Sequence, residues 1–351
     1  MSESMLAAVY YGPQDLRVEQ RPVPAVGPGD ALVRVISTGI CGTDLRIYHG
    51  GHRMFAPGAV RVPGHEVVGD LVEIGRDVKG VVVGQRVFVA PNFGCGHCRQ
   101  CITGNNNRCA NYGAPGITMD GSFAQYMLVP AAAILQGNLI PMDAAVDPAG
   151  GALIEPFACV LRGQAALHIA PTDLVLIVGA GPIGIMHLLA ARLQGARRVL
   201  VSELNPERAA QAAAFGADRV INPAQEDLEA IIRAESQGEG ADAIVVAAPS
   251  HRAQESALEL AGIGGRINFF GGLPKDRPLI QLNANLVHYK ELVITGTTAS
   301  STYDCWRAAA LVGAGKVDLT RLVSARYPLK QAVEAFATAE SGKALKVVLE
   351  P

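Results

Sequence analysis

The 351-residue sequence lacks the marks of several protein classes. No uninterrupted apolar run reaches the roughly 18–20 residues that a membrane-spanning helix needs. No long run of lysine or arginine is present and the net charge is −2, which argues against nucleic acid or an anionic membrane surface as the main partner. The N-terminus carries Glu3 and no apolar signal-peptide segment, so we expect a cytoplasmic protein.

The composition indicates a globular protein with a sizeable core. Hydrophobic residues make up 49% and charged residues 18%, and the length is sufficient for two domains. The seven cysteines are odd in number and four of them are clustered, which is not typical of a secreted disulfide framework. We therefore expect reduced thiols.

The secondary-structure signals change near residue 150. Up to about residue 135, short apolar segments separated by glycine and proline predict a barrel-like β domain. Beyond residue 150, short apolar strands alternate with helical patterns, which predicts βαβ units and a doubly wound parallel sheet. We predict one helix over 149–167 and the sixth strand of the sheet over 292–294.

A glycine motif, Gly179-Ala180-Gly181-Pro182-Ile183-Gly184, lies between a predicted strand and a predicted helix. Gly179 permits the tight turn, Gly181 lets the backbone approach a pyrophosphate, and Gly184 allows the helix to pack closely on the strand. The N–H groups at the helix N-terminus suit the phosphates. The context predicts a dinucleotide site, with an unliganded glycine-rich turn as the alternative.

Glu203 ends the next predicted strand, 24 residues after Gly179. An acidic side chain there accepts hydrogen bonds from the adenosine ribose hydroxyls and repels a 2′-phosphate, which favours NAD over NADP. Arg208, five residues on, weakens that preference slightly, as either a solvated helix residue or one lying against the adenine.

Four cysteines, Cys95, Cys98, Cys101 and Cys109, occur within 15 residues of a loop rich in glycine and asparagine. Four thiolates at this spacing suit one tetrahedral Zn²⁺ that is closed to water and therefore structural. An iron–sulfur cluster is the alternative metal centre. The neighbouring His97 is expected to point to solvent.

His65 and Glu66 are adjacent in an apolar stretch that follows Pro63 and Gly64. Neighbouring side chains on a strand point to opposite faces, so both reach one metal only if the backbone turns there. Pro63 and Gly64 supply the residues of such a turn. The alternative is a buried histidine beside a solvated glutamate.

Taken together, these motifs resemble the zinc-dependent medium-chain alcohol and polyol dehydrogenases, most closely the sorbitol dehydrogenase-like branch. The stretch 64–78 reproduces the zinc signature of that family, and Cys41-Gly42-Thr43-Asp44 resembles its first metal-ligand turn. The resemblance covers nearly the whole chain. It implies an α/β fold, with a GroES-like β-barrel catalytic domain over 1–151 and 296–351 and a Rossmann NAD-binding domain over 152–295.

The resemblance also implies a catalytic zinc bound by Cys41, His65 and either Glu66 or Glu155. Asp44 resembles the carboxylate that orients the liganding histidine. Thr43 resembles the hydroxyl that takes the proton from the substrate.

Two positions depart from the family pattern. The histidine that finishes the proton relay in related enzymes is replaced by Arg46, which is no acid–base group, so that step falls to His49 or to solvent. The segment 297–301 lacks the Arg-Tyr pair of sorbitol dehydrogenases, so the polyol class is better supported than sorbitol itself. Arg46 is either a partner for a phosphate or carboxylate or a solvated residue.

The resulting prediction is an enzyme with two zinc ions per subunit that oxidises a secondary alcohol of a polyol to a ketose with NAD. Gly271 and Thr297 are expected to border the nicotinamide, and the resemblance implies a homotetramer. The alternatives are an L-threonine 3-dehydrogenase, a polyol-phosphate dehydrogenase, a zinc-free quinone reductase and a non-enzymatic NAD-binding protein.

Overall fold

The computed structural model describes residues 3–52, 54–55 and 58–351. The chain forms two compact units, one of Met1–Ala158 with Ser300–Pro351 and the other of Cys159–Ala299. None of the helices in these described ranges is long and apolar enough to cross a membrane.

The chain forms fifteen strands and twelve α-helices within the described residues. The strands are β1 (Ser4–Gly12), β2 (Asp15–Pro22), β3 (Ala31–Gly39), β4 (Glu66–Ile74), β5 (Arg86–Val89), β6 (Tyr126–Val129), β7 (Leu139–Pro141), β8 (Leu174–Val178), β9 (Arg198–Ser202), β10 (Arg219–Ile221), β11 (Ala241–Val246), β12 (Ala261–Phe269), β13 (Val293–Gly296), β14 (Val323–Pro328) and β15 (Lys346–Glu350). The helices are α1 (Gly42–Tyr48), α2 (Arg99–Ile102), α3 (Ala131–Ile134), α4 (Pro148–Ala152), α5 (Ile154–Ala165), α6 (Pro182–Leu193), α7 (Pro206–Ala214), α8 (Leu228–Glu235), α9 (His251–Leu260), α10 (Ala284–Tyr289), α11 (Thr302–Gly313) and α12 (Ala332–Glu340).

The first unit is built on a seven-stranded sheet in which β14, β15, β3, β4, β5 and β7 follow one another and β6 also pairs with β3. All its pairs are antiparallel except β14 with β15. β1 and β2 form a separate two-stranded ribbon. Val33 of β3, Leu71 of β4 and Val87 of β5 are fully buried, so the sheet carries its own core.

A second core in this unit surrounds aromatic rings. The ring of Phe336 on α12 lies edge-on to Phe123 at 5.7 Å and to Tyr48 at 5.4 Å. Edge-to-face contacts of this kind are favourable beyond the area that they bury. They fix α1, which ends at Tyr48, against the C-terminal helix of the chain.

The second unit contains a six-stranded sheet in the order β10-β9-β8-β11-β12-β13, and all its strands are parallel. This is the order of a dinucleotide-binding doubly wound sheet. Leu174 to Ile177 of the central strand β8 are completely buried, as expected for a parallel sheet covered on both faces.

Two sequence predictions of element bounds were wrong in detail. The single helix over 149–167 is interrupted at Leu153, because α4 and α5 are separate helices. Gly150 and Gly151 are weak helix formers, and a Cβ on Gly150 would lie 2.4 Å from the Thr320 hydroxyl, so packing sets this segment. The sixth strand spans Val293–Gly296 instead of 292–294.

The two units divide after residues 158 and 299, whereas the sequence predicted boundaries after 151 and 295. Helix α5, which spans Ile154–Ala165, runs through the division after residue 158. The change from strand-rich to helix-rich sequence near residue 150 therefore marks the start of α4, not the end of the unit.

Candidate active site

The metal-donor residues Cys41, His65 and Glu66 meet where β3 ends and β4 begins. Gly39, the last residue of β3, pairs with Glu66, the first residue of β4. Cys41 follows two residues after Gly39 and caps the N-terminus of α1. One donor atom from each of the three residues lies within 4.8 Å of the other two.

Two glycines make this arrangement possible. Gly64 has φ +95°, a left-handed conformation, and a Cβ there would lie 2.5 Å from the Phe123 ring. It provides the backbone turn that the sequence required for His65 and Glu66 to share a site. A Cβ on Gly39 would lie 2.0 Å from a carboxylate oxygen of Glu66, so this glycine leaves the space that the carboxylate fills.

Asp44 binds the backbone on both sides of the donor group. Its carboxylate is fully buried and accepts hydrogen bonds from the backbone N–H of Cys41 at 2.8 Å and of Gly64 at 3.3 Å. Nδ1 of His65 lies 3.5 Å from the carboxylate, which is too long for a good hydrogen bond but close enough for charge attraction. The ring therefore turns Nδ1 toward Asp44 and leaves Nε2 for a metal.

The charge around His65 is strongly negative. Burial favours the neutral ring, but Asp44 and Cys41 outweigh it and raise the pKa of His65 well above its ordinary value. A bound metal ion requires the neutral ring and would displace this proton. The donor set of one sulfur, one imidazole and one carboxylate fits a catalytic zinc, which uses three protein ligands and keeps one position for water or substrate.

The sequence analysis missed Lys346, which completes this group. The side chain is only 5% exposed, and Nζ donates to both carboxylate oxygens of Glu66 at 2.7 and 2.6 Å. Burial disfavours the charged amine, but Glu66 and Cys41 outweigh that cost and raise the pKa of Lys346. A lysine between apolar Leu345 and Val347 was the available signal for a buried partner.

Glu155 lies in the first turn of α5 and is 6% exposed. Among the residues that the structure describes, it is not part of the mutually close donor group of Cys41, His65 and Glu66. Burial raises the pKa of the Cys305 thiol far above its usual range, and the charge of Glu155 adds to that shift. The role of Glu155 as a zinc ligand stays a prediction.

The predicted relay residues lie on or next to α1. Thr43 is half-buried in its first turn, and Asp44 follows it. His49 caps the C-terminus of α1 and pairs with Glu340 through Nε2 at 2.5 Å, with both side chains substantially exposed. Arg46 is exposed.

The four cysteines of the second group form a separate lobe around α2. Four sulfurs bound to one zinc at about 2.3 Å lie about 3.8 Å apart. Sγ of Cys98 lies 3.6 Å from that of Cys101 and 3.8 Å from that of Cys109, and none of the seven cysteines forms a disulfide. His97 is exposed and its Nδ1 lies 2.9 Å from the backbone oxygen of Cys95.

The surroundings shift the pKa values of two of these thiols in opposite directions. The backbone N–H groups of His97 and Cys98 lower the pKa of Cys95 to about 6. Burial raises the pKa of Cys101 to about 12. A metal ion is therefore needed to hold all four cysteines as thiolates at neutral pH.

The glycine motif connects β8 to α6. Gly179 has φ +100°, and a Cβ on Gly184 would lie 1.9 Å from the Gly179 carbonyl oxygen, so both positions require glycine. A Cβ on Gly181 would meet no protein atom within 4 Å, which leaves open space beside the N-terminus of α6. Pro182 begins the helix and Ile183 follows it. The turn fits a dinucleotide pyrophosphate.

Glu203 follows β9 and is bound to the backbone on both sides. One oxygen accepts from Ala180 N–H at 2.7 Å, and the other accepts from Leu204 and Asn205 N–H at 2.8 Å each. A carboxylate offers about four acceptor positions, so one position remains for a ribose hydroxyl. The side chain thus also fixes the glycine turn.

The remaining predicted cofactor residues lie in the same unit. Arg208 is half-buried in the first turn of α7, where its N–H donates to Asn205 at 3.1 Å. A Cβ on Gly271 would lie 2.8 Å from the backbone of Ala248, so two chain segments approach closely there. Thr297 follows β13, and its hydroxyl is buried without a hydrogen-bond partner among the residues that the structure describes.

The fold, the donor group beside β4, the cysteine lobe and the glycine turn define a zinc-binding dehydrogenase with a dinucleotide cofactor. Comparison with known protein families supports this assignment. The family model of the alcohol dehydrogenase GroES-like domain matches residues 27–141, and that of the zinc-binding dehydrogenases matches residues 182–313. The chain therefore belongs to the zinc-dependent medium-chain alcohol and polyol dehydrogenases and is an NAD(P)-dependent alcohol dehydrogenase.

Individual relatives cover nearly the whole chain. It is 32% identical to the L-galactonate-5-dehydrogenase of Escherichia coli K12 over 92% of both chains. It is 35% identical to the L-threonine 3-dehydrogenase of Pyrococcus horikoshii over 99% of both. A crystal structure of a zinc-binding dehydrogenase from Sinorhizobium meliloti 1021 bound to NADP matches with a TM-score of 0.90 and 31% identity over 100% of both chains.

These findings confirm the predicted fold class, the zinc dependence and the use of a nicotinamide cofactor. They leave the cofactor as NAD or NADP, and the substrate as an alcohol.

Proposed function

We propose that this enzyme oxidises a secondary alcohol of a polyol with NAD⁺ to give a ketose, NADH and a proton. The observation that carries the proposal is the buried group of Cys41, His65 and Glu66, with one donor atom of each within 4.8 Å of the others. The relative named for L-galactonate supports a polyhydroxylated substrate.

The chain's own residues divide the work as follows. Cys41, His65 and Glu66 would hold the zinc, with Glu155 as the alternative carboxylate. Bound zinc would polarise the alcohol oxygen, and a bound nicotinamide would accept the hydride. Asp44 holds the imidazole of His65 in one orientation.

The proton leaves through side chains of the α1 segment. The Thr43 hydroxyl accepts the proton of the alcohol and passes its own toward water. His49 is the candidate for the last acceptor in place of the histidine that Arg46 replaces. Its side chain pairs with Glu340 and is exposed, so a proton that reaches it can pass to solvent.

NAD is proposed as the preferred cofactor because of Glu203. Gly179, Gly181, Pro182, Ile183 and Gly184 would receive the pyrophosphate, whereas the Glu203 carboxylate would repel a 2′-phosphate. Glu203→Ala should shift the NAD-to-NADP ratio of kcat/KM toward NADP by about tenfold. Arg208→Ala is the control, because it removes a cation from the same region. An unchanged ratio in Glu203→Ala would contradict the assignment.

A substrate panel tests the proposed reaction. NADH formation is followed with polyols, sugar acids, L-threonine and polyol phosphates under one set of conditions. We expect the highest kcat/KM with a polyol or its sugar acid. A clear preference for L-threonine, as in the name of the Pyrococcus relative, would replace the proposal by the second candidate function.

The alternative of a zinc-free quinone reductase is tested by removing the metal. A chelator should abolish turnover while NAD binding stays measurable. Full activity of demonstrably zinc-free protein would overturn the zinc mechanism.

We also propose a homotetramer that uses the edge of the six-stranded sheet. β13 is an edge strand, and its Val293 is 50% exposed. Exposed edge strands pair readily with a second copy unless charge blocks them. Val293→Lys should reduce the molar mass measured by light scattering; an unchanged mass would exclude this edge as an interface.

A further inference from the structure

Lys346 reaches the metal-donor group through the last strand of the chain. β15 pairs antiparallel with the end of β3, where Val348 lies opposite Gly39. Lys346, at the start of β15, therefore lies beside the turn that leads from β3 to Cys41. Its Nζ donates to the Ile40 carbonyl at 2.9 Å and to both oxygens of Glu66.

These contacts use the whole donor capacity of the ammonium group, which has three N–H bonds. They leave Lys346 no freedom to turn toward water, in keeping with its burial. Each Glu66 oxygen retains lone pairs, so the carboxylate can bind a metal while it accepts from Lys346. Glu66 thus lies between a fixed cation and the donor atoms of Cys41 and His65.

We propose that Lys346 is a positioning residue that holds the Glu66 carboxylate and weakens it as a zinc donor. This inference rests on the proposed zinc site. Two effects act in the same direction. Hydrogen bonds from Lys346 withdraw electron density from both oxygens, and its positive charge repels a divalent cation across a poorly screened, buried distance.

Two roles of Lys346 predict opposite changes in zinc affinity when the side chain is removed. If Lys346 acts only as a structural prop for Glu66, its removal disorders the carboxylate and lowers zinc affinity. If it competes with the metal, its removal raises the affinity. Loss of a partner that supports a metal ligand typically lowers metal affinity by about 10- to 100-fold, so a gain in affinity is readily separated from that case.

The experiment compares Lys346→Met with Lys346→Arg and with Lys343→Met, which removes an exposed lysine three residues earlier. Zinc affinity of each full-length protein is measured by competition with a chelator, and the absorption spectrum of the cobalt-substituted site reports its ligands. We expect Lys346→Met to bind zinc at least about tenfold more tightly at the buried site. Lys346→Arg should restore the parental affinity, and Lys343→Met should leave it unchanged.

Glu66→Gln provides the decisive background. In that background Lys346→Met should raise zinc affinity by clearly less than it does in the parent, because the carboxylate that accepts the Lys346 hydrogen bonds is gone and only the direct charge repulsion remains. A parental or lower zinc affinity of Lys346→Met, or a gain that is undiminished in the Glu66→Gln background, would overturn the proposal.

Folding and the zinc site itself are controlled separately. Should Lys346→Met fail to fold, Lys346→Gln keeps a hydrogen-bond donor without the charge, and it should still bind zinc more tightly than the parent; parental or weaker binding would refute the idea. A parent protein that binds metal at the four cysteines alone, with the all-sulfur cobalt spectrum and no second cobalt site, would instead refute the buried zinc site, independently of Lys346.

Discussion

The two metal-donor groups differ in how the chain assembles them. The cysteine lobe draws all four donors from 15 consecutive residues and adds mainly backbone N–H groups. The buried group draws Cys41, His65 and Glu66 from two segments and adds Asp44 and Lys346 as charged neighbours. The cysteine lobe follows from the spacing of its residues along the chain, whereas the buried group depends on the packing of the sheet.

The difference extends to charge. With a metal bound and the His65 ring neutral, a Cys41 thiolate, Glu66 and Asp44 would carry three negative charges and Lys346 one positive charge, which leaves two negative charges for a divalent cation to cancel. Four thiolates in the lobe carry four, of which zinc cancels only two. The lobe offers four protein donors and is suited to a closed structural ion, whereas the buried group offers three and is suited to an ion that keeps a position for substrate.

Removing the imidazole from the buried group should have the largest effect. His65→Ala takes away one of three ligands, and Lewis-acid stabilisation amounts to several kcal/mol, so kcat/KM should fall by about 10³-fold or more. Metal analysis should show the loss of one of two zinc ions. His288→Ala, at an exposed position, is the control. A kcat/KM within tenfold of the parent would show that the buried group does not hold a catalytic zinc.

Breaking the lobe should act on stability. Cys98→Ser removes one of four closed-site ligands, and we expect the free energy of unfolding to fall by about 4 kcal/mol. The measurement is thermal or denaturant unfolding together with zinc content. His97→Ala, an exposed neighbour, should change neither quantity. Parental stability of Cys98→Ser would remove the structural role.

A milder change at Asp44 sharpens the comparison. Asp44→Asn keeps the size of the side chain but removes the charge opposite His65, and should weaken zinc binding at the buried site by about 10- to 100-fold. The lobe should keep its zinc, because Asp44 does not contact it. Equal losses from both sites would show a general folding defect instead.

The last comparison concerns a buried histidine outside both donor groups. Burial lowers the pKa of His187 to about 3, because no charged partner offsets the loss of water. The folded state keeps this ring neutral while the unfolded state binds a proton, so stability is present above the ordinary pKa of 6.5 and is lost as the pH falls toward 3.

We therefore expect His187→Met to be less acid-sensitive than the parent by about 1.4 kcal/mol per pH unit within that range. Denaturant unfolding at several pH values measures this slope. His288→Gln, an exposed histidine, should follow the parent. Parallel slopes for His187→Met and the parent would contradict the assigned burial effect.

Much of the fold followed from local sequence. The glycine motif lies where its spacing predicted, because Gly179 and Gly184 each meet a backbone requirement that only glycine satisfies. The predicted bounds of the helix near residue 150 and of the strand near residue 293 were less accurate. Glycine packing sets the first, and the position at the edge of the sheet sets the second. Glu203 was predicted beside the cofactor, but its hydrogen bond to Ala180 depends on how β8 and β9 align.

The sequence by itself determined the four-cysteine lobe, the dinucleotide turn and the class of enzyme, because the motifs behind them are residue types at short, fixed spacings. Only the tertiary structure decided that Glu66 is held by Lys346, 280 residues away, and that His49 pairs with Glu340. Such partners are brought together by the pairing of β15 with β3 and by the packing of α12 near α1. Lys346 and Glu66 meet in the core and His49 and Glu340 meet at the surface, and no local pattern of residues encodes either contact.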